Sequence, residues 1–87
     1  MNRFVEKLGI DDVTFIAIEE CSELQKELTK ALRGKLRREA FIEEMADVTI
    51  AMSWIKDAFD ITDEELQKKL GEKLAKAEIK FIEGNEK

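Results

Sequence analysis

The sequence predicts an all-α protein, on three observations. Charged residues make up 40% and apolar residues 44% of its 87 residues, with no Pro and four Gly, a composition suited to amphipathic helices. Apolar residues recur three and four apart, as in Phe41, Met45, Val48, Met52, Ile55 and Phe59. The breaks between periodic stretches carry stop and start signals, Gly34 and Gly84 for stops and Thr62-Asp-Glu-Glu65 for a start. The expected architecture is a helical hairpin plus a third helix, in a single domain over 1–87, assembling into a four-helix-bundle-like oligomer. A monomer this small buries only about 60 to 65% of its unfolded surface, so association is an expected source of stability.

Phe4, Val5 and Leu8 suggest a short lead-in helix that packs on the bundle. The first long helix starts after Gly9-Ile10 with Asp11 or Asp12 as cap and runs to about Leu32, where Gly34 supplies the stop. Its seam is Val13, Ala17, Leu24, Leu28 and Ala31, and Glu20, Glu23 and Glu27 lie on one flank with Ile16. The basic link from Arg33 to Arg38 complements the end of that helix, with Arg33 near the carboxy-terminal dipole. The second helix spans roughly Arg38 to Phe59 and carries the narrow Phe41-to-Phe59 stripe as its seam. Glu44 and Asp47 lie on its flank with Ala40, Ala51, Ala58 and Trp54, small alanines that leave room for a ligand. Ile42, Ile50 and Trp54 make this helix apolar outside its seam, so a partner subunit is expected to cover it. The capping box at Thr62 opens the third helix, which runs to about Glu83 with Leu66, Leu70, Ala77 and Phe81 as seam. Its flank is Lys69, Lys73, Lys76 and Lys80, and Glu65 with Lys69 and Glu72 with Lys76 are spaced as i,i+4 ion pairs.

Several function classes are disfavoured at once. A net charge of −5 argues against a nucleic-acid partner. The longest apolar-rich stretch, Val48 to Ile55, is far too short to span a bilayer, so no membrane partner is expected. The lone Cys21 cannot form an internal disulfide and reads as a small buried apolar group; with no secretory signal, a reducing cytoplasm is the expected location. Without His the chain has neither imidazole metal ligands nor an imidazole base, so hydrolytic chemistry would have to run on carboxylates and metal-activated water.

The acids carry the chemical signal. Ile18-Glu-Glu-Cys-Ser-Glu23 and Ile42-Glu-Glu-Met-Ala-Asp47 repeat one pattern 24 residues apart. Residues three apart share a helix face, so Glu20 with Glu23 and Glu44 with Asp47 aim like charges the same way beside apolar stripes. A cation offsets that repulsion, and hard carboxylate oxygens suit Mg²⁺, with Mn²⁺ as substitute. Two antiparallel helices bearing the motif would place four carboxylates around one point, and lysines on a third helix would complete a site for metal and polyphosphate. Against this stands an ordinary solvated face, in which Glu23 pairs with Lys26, Glu27 with Lys30, and the lysine row pairs within its own helix.

Glu19-Glu20-x-x-Glu23, 20 intervening residues, then Glu44-x-x-Asp47 resembles the Glu-Glu-x-x-Glu and Glu-x-x-Asp signature of the all-α nucleoside triphosphate pyrophosphatases, the MazG-like proteins. The resemblance runs from about Val13 to Lys80. It implies Mg²⁺-dependent hydrolysis of a nucleoside triphosphate to monophosphate and pyrophosphate, in a homodimer or homotetramer of helical hairpins. It makes Glu20, Glu23, Glu44 and Asp47 metal ligands and gives Glu19 a catalytic role in holding a second metal or orienting the attacking water. Lys73 matches a third-helix Lys that faces the phosphates, with Lys69 and Lys76 beside it, while Lys76 and Lys80 stand where relatives carry Asn or Arg. The base would be held by amino-terminal and partner-chain residues, with Phe4, Phe15 and Trp54 as candidates. Metal-activated water would attack the α-phosphorus in line with the departing pyrophosphate, whose charge lysines stabilise. The alternative is a non-catalytic helical interaction module whose acids are solvated or hold a divalent ion structurally.

Overall fold

A computed structural model of the chain describes residues 2–84. Four α-helices follow one another, α1 (Arg3–Leu8), α2 (Ile10–Leu32), α3 (Arg38–Ala58) and α4 (Asp63–Ala77), and α4 runs on into a π-helical extension over Glu78–Glu83. Among the described residues there is no strand, and no helix is long and apolar enough to cross a membrane.

The boundaries follow local chemistry. Asn2 caps α1, its side-chain oxygen accepting from the Phe4 N–H at 2.7 Å. Gly9, at φ 88°, ends α1 and begins α2 without a side-chain cap, so Asp11 and Asp12 stand inside the first turn, where they favour the helix dipole, and not at the expected cap position. The end of α2 is a Schellman turn: the Lys35 N–H donates to the Lys30 carbonyl at 2.8 Å and the Gly34 N–H to the Ala31 carbonyl at 3.1 Å. The end of α3 repeats it, the Ile61 N–H donating to the Lys56 carbonyl at 2.9 Å, with Asp60 in the left-handed position at φ 54°. Thr62 and Glu65 form the expected capping box at the start of α4.

The elements pack unevenly. α2 and α3 form the hairpin, and α1 lies across it. Val5, Val13 and Ala58 make the core, with Trp54 and Ile55 packed against it, and Ala17 and Ala51 are buried along the hairpin. α1 is tied down by Val5, by the stack of Phe4 on Trp54 at 5.0 Å, and by the Asn2 N–H donating to Asp57 Oδ2 at 2.7 Å. Among the described residues, α4 packs against neither α2 nor α3 and has its helix contacts with its own extension alone. An ion pair between Lys56 and Asp63 fixes its base at the turn.

Four expectations about burial fail in whole or in part. The Phe41-to-Phe59 stripe is only partly the hairpin seam: Ile55 packs on the core, but Met45, Met52 and Phe59 are exposed, and Ala51 and Ala58 of the alanine flank are the buried residues of α3. Alanines let two helices approach closely, so the small side of α3 takes the contact, Phe41, Val48 and Ile55 are left half-buried and Met45, Met52 and Phe59 face outward. Leu28 in the α2 seam is exposed, and no residue of α4 is buried. Cys21, expected inside, is exposed.

Candidate metal centre

The close hairpin contact sets the positions of the acids. Glu20 stands one turn past Ile16 on α2, and Glu44 and Asp47 share a face of α3, so the two flanks meet beside Ala51. Glu20, Glu44 and Asp47 each offer a carboxylate oxygen, and these oxygens all lie within 4.8 Å of one another. Glu20 and Glu44 are half-buried and Asp47 is exposed, an arrangement with one open side. Among the described residues this is the only group of its kind.

Its electrostatics are those of an uncompensated site. Glu44 Oε2 is shielded from solvent and has no hydrogen-bond partner among the described residues. Burial of the Glu44 carboxyl, then the Glu20 carboxyl beside it and the charges of Asp47 and Glu23, push Glu44 up to about 7 from 4.5. A divalent cation bound there would displace the Glu44 proton and offset the crowded charges.

The other expected site residues fall elsewhere. Glu23 lies outside the trio; it pairs with Lys26 at 3.1 Å yet stays near enough for its charge to act on Glu44. Glu19 is exposed on α2. Trp54 lines a cavity of about 470 Å³ together with Glu20 and Asp47, and Phe4, Ile16 and Ile50 share its wall. Phe15 is 64% exposed and does not line that cavity. On α4, Lys73 and Lys76 line a shallow groove with Lys80, and Lys69 pairs with Glu72 at 3.0 Å. The expected i,i+4 pairs do not form, because Glu65 turns back to Thr62 in the capping box and Glu72 takes Lys69 from the other direction. The Thr62 backbone and side-chain hydrogen bonds hold the Glu65 carboxyl below its usual value.

One buried acid escaped the sequence reading. Glu27 is only 8% exposed, its Oε2 accepting from Lys30 Nζ at 3.2 Å and its Oε1 without a partner among the described residues. Its place on the Glu20 and Glu23 flank was visible in the heptad spacing, but its burial depends on how closely α3 lies against α2.

No family model, curated protein or solved structure matches this chain.

Proposed function

We propose that this chain is a Mg²⁺-dependent nucleoside triphosphate pyrophosphohydrolase, converting a nucleoside triphosphate and water to the monophosphate and pyrophosphate, with Mn²⁺ able to substitute. The observation that carries the reading is the convergence of Glu20, Glu44 and Asp47 within 4.8 Å, at the edge of a cavity walled by Phe4 and Trp54. Three hard oxygen donors with an open side fit an ion that keeps several waters and shares substrate phosphates. Bound there, a divalent cation supplies Lewis acidity at the phosphates and activation of water.

The chain's own groups do the rest. Glu20, Glu44 and Asp47 would hold the ion, with Glu44 losing its proton as the site is loaded and Asp47 at the exposed edge. Trp54, held by its stack on Phe4, offers an aromatic face to a planar base, and Ile16 and Ile50 exclude water around it. In the reaction the bond between the α-phosphorus and the bridging oxygen breaks as the bond to water's oxygen forms, and water's proton leaves to solvent. Roles for Glu19 in positioning that water, for Glu23 as a fourth ligand, and for Lys69, Lys73 and Lys76 at the leaving pyrophosphate rest on the resemblance to MazG-like enzymes. So does assembly as a homodimer or homotetramer.

The test is pyrophosphate release from a panel of standard and modified nucleoside triphosphates with Mg²⁺ or Mn²⁺, for the wild type, Glu20→Gln and Asp47→Asn. Metal-dependent release that both substitutions abolish supports the enzyme. The exposed apolar surface of α4 favours a second reading, a non-catalytic interaction module. Silence across the panel together with a melting temperature that millimolar Mg²⁺ leaves unmoved would establish that reading instead.

A further inference from the structure

The chain exposes far more surface than its size requires. Its accessible area is 7200 Å², whereas a compact monomer of 10.1 kDa exposes about 5,300 Å². Its radius of gyration is 16.2 Å, against about 12 Å for a compact chain of this length. The excess of roughly 1,900 Å² is more than twice the ~800 Å² that each partner buries in a stable interface.

Two apolar surfaces contribute to it. One is the ridge along α4 and its extension, where Leu66, Leu70, Leu74 and Phe81 are 41%, 44%, 68% and 72% exposed. Spaced by four and then by seven, they lie on one face of the helix. The other is a groove of about 480 Å³ between α2 and α3, walled by Ala17, Ile18, Cys21, Met52, Ile55 and Phe59. This groove shares no lining residue with the Trp54 cavity beside the acid trio.

The ridge cannot fill its own groove while the turn between α3 and α4 keeps its form. Asp60 and Ile61 are tied back to Asp57 and Lys56 by backbone hydrogen bonds of 3.2 and 2.9 Å, Thr62 is locked into the capping box, and Lys56 holds Asp63. We propose that α4 is an exchange arm: the leucine ridge of one copy seats in the Cys21 groove of a second copy, whose arm seats reciprocally in the first. One chain carries both an unfilled groove and an unseated ridge, so a single two-fold operation covers both at once and closes the assembly. The arrangement specifies the interface of the homo-oligomer in the functional reading and is independent of whether the acid trio is catalytic.

Cys21, the chain's one cysteine, makes the exchange directly testable. Leu66→Cys, Leu70→Cys and Leu74→Cys, introduced one at a time in the full chain, are treated with a short bismaleimide after mixing ¹⁴N- and ¹⁵N-labelled protein. At least one is expected to link to Cys21 of the other isotope, giving a covalent dimer that Cys21→Ser removes. Sedimentation of the wild type is expected at twice the chain mass or a multiple of it. Leu66→Asp with Leu70→Asp is expected to weaken association at least 100-fold and to leave the helical circular dichroism of the hairpin intact, because neither leucine packs on α2 or α3. A wild type that sediments as a monomer at high micromolar concentration overturns the proposal. So does an oligomer in which no position links to Cys21, one linked only within single chains, or one that the double substitution leaves associated. None of these readings uses activity, so an inactive protein with exchanged arms and an active protein without them are distinguishable.

Discussion

α3 and α4 enter the structure with similar credentials, each with an apolar stripe at helical spacing, a cap and a charged flank, but they end in opposite circumstances. α3 meets α2 through Ala51, 1% exposed, opposite a helix whose Val13 is fully buried, whereas α4 buries none of its residues within the chain. Helical periodicity declares a face that needs covering and is silent on what covers it. The acid trio belongs to the hairpin, where two helices are held closely enough to force carboxylates together. The lysine row belongs to the arm, and in one chain the two are not in contact.

The contrast is sharpened most by removing the charge crowding on which the hairpin site depends. Glu44→Gln is expected to lower metal-dependent pyrophosphate release by at least about 100-fold and to erase metal-linked stabilisation, which for a site bound at 100 times its Kd amounts to ~2.7 kcal/mol. Thermal melts with and without Mg²⁺ would measure the second effect apart from the first. A Glu44→Gln protein still stabilised by Mg²⁺ would move the ion away from the trio.

Packing should differ between the two regions almost as strongly. Val13→Ala removes two methyl groups from a fully buried site and is expected to cost about 1 to 3 kcal/mol in urea unfolding. Leu70→Ala, 44% exposed, should cost less than ~0.5 kcal/mol at concentrations where the chain is monomeric. A larger loss at that leucine under dilution would show that the arm packs on its own hairpin.

The pH dependence isolates Glu44 without metal. Its carboxyl titrates near 4.5 unfolded and at about 7 in the fold, so between those values the folded chain holds a proton that the unfolded chain has released. Stability therefore falls as pH rises from about 4.5 to about 7 and levels off above, the reverse of a salt-bridged acid. Mg²⁺ should bind more tightly as pH rises through the same window, because it displaces that proton. Chemical unfolding in chelator across pH 4 to 8 should show the decline in the wild type and a flatter profile in Glu44→Gln. A profile that rises through this interval would mean that Glu44 is ionised and compensated in the fold.

Much of this was legible in the residues, and what was not shares one cause. Gly34 and the Thr62-to-Glu65 box marked helix ends because caps are local chemistry, read within four or five residues. Glu20, Glu44 and Asp47 were legible because spacing on two helices fixes a face, and the hairpin brings the faces together. The exposure of Cys21, the burial of Glu27 and the outward turn of Met45, Met52 and Phe59 were not, since each depends on the rotation of α3 about its axis against α2. Small alanines decided that rotation, and alanine carries little weight in an apolar pattern. The detachment of α4 was equally hidden, because its ridge looks like any core-facing stripe until the turn at Asp60 sets its direction.

That turn yields the smallest effect and a direct comparison of the two Schellman ends. Gly34 and Asp60 occupy the same position after α2 and α3, at φ 72° and 54°. A side chain in the left-handed region costs roughly 1 to 2 kcal/mol, less for Asp, while glycine gives back about 0.5 to 1 kcal/mol of unfolded-state entropy. Asp60→Gly should therefore change hairpin stability by no more than about 0.5 kcal/mol, and in the favourable direction. Gly34→Ala, with open space around the added Cβ but φ unchanged, should lose about 1 kcal/mol from strain alone. Asp60→Gly keeps both backbone hydrogen bonds of the turn and removes its left-handed strain, so the joint between hairpin and arm stays locked. If the locked turn is what keeps the ridge from its own groove, association should be retained in this variant; sedimentation showing loss of the oligomer while urea unfolding shows an intact hairpin would contradict that role for the turn.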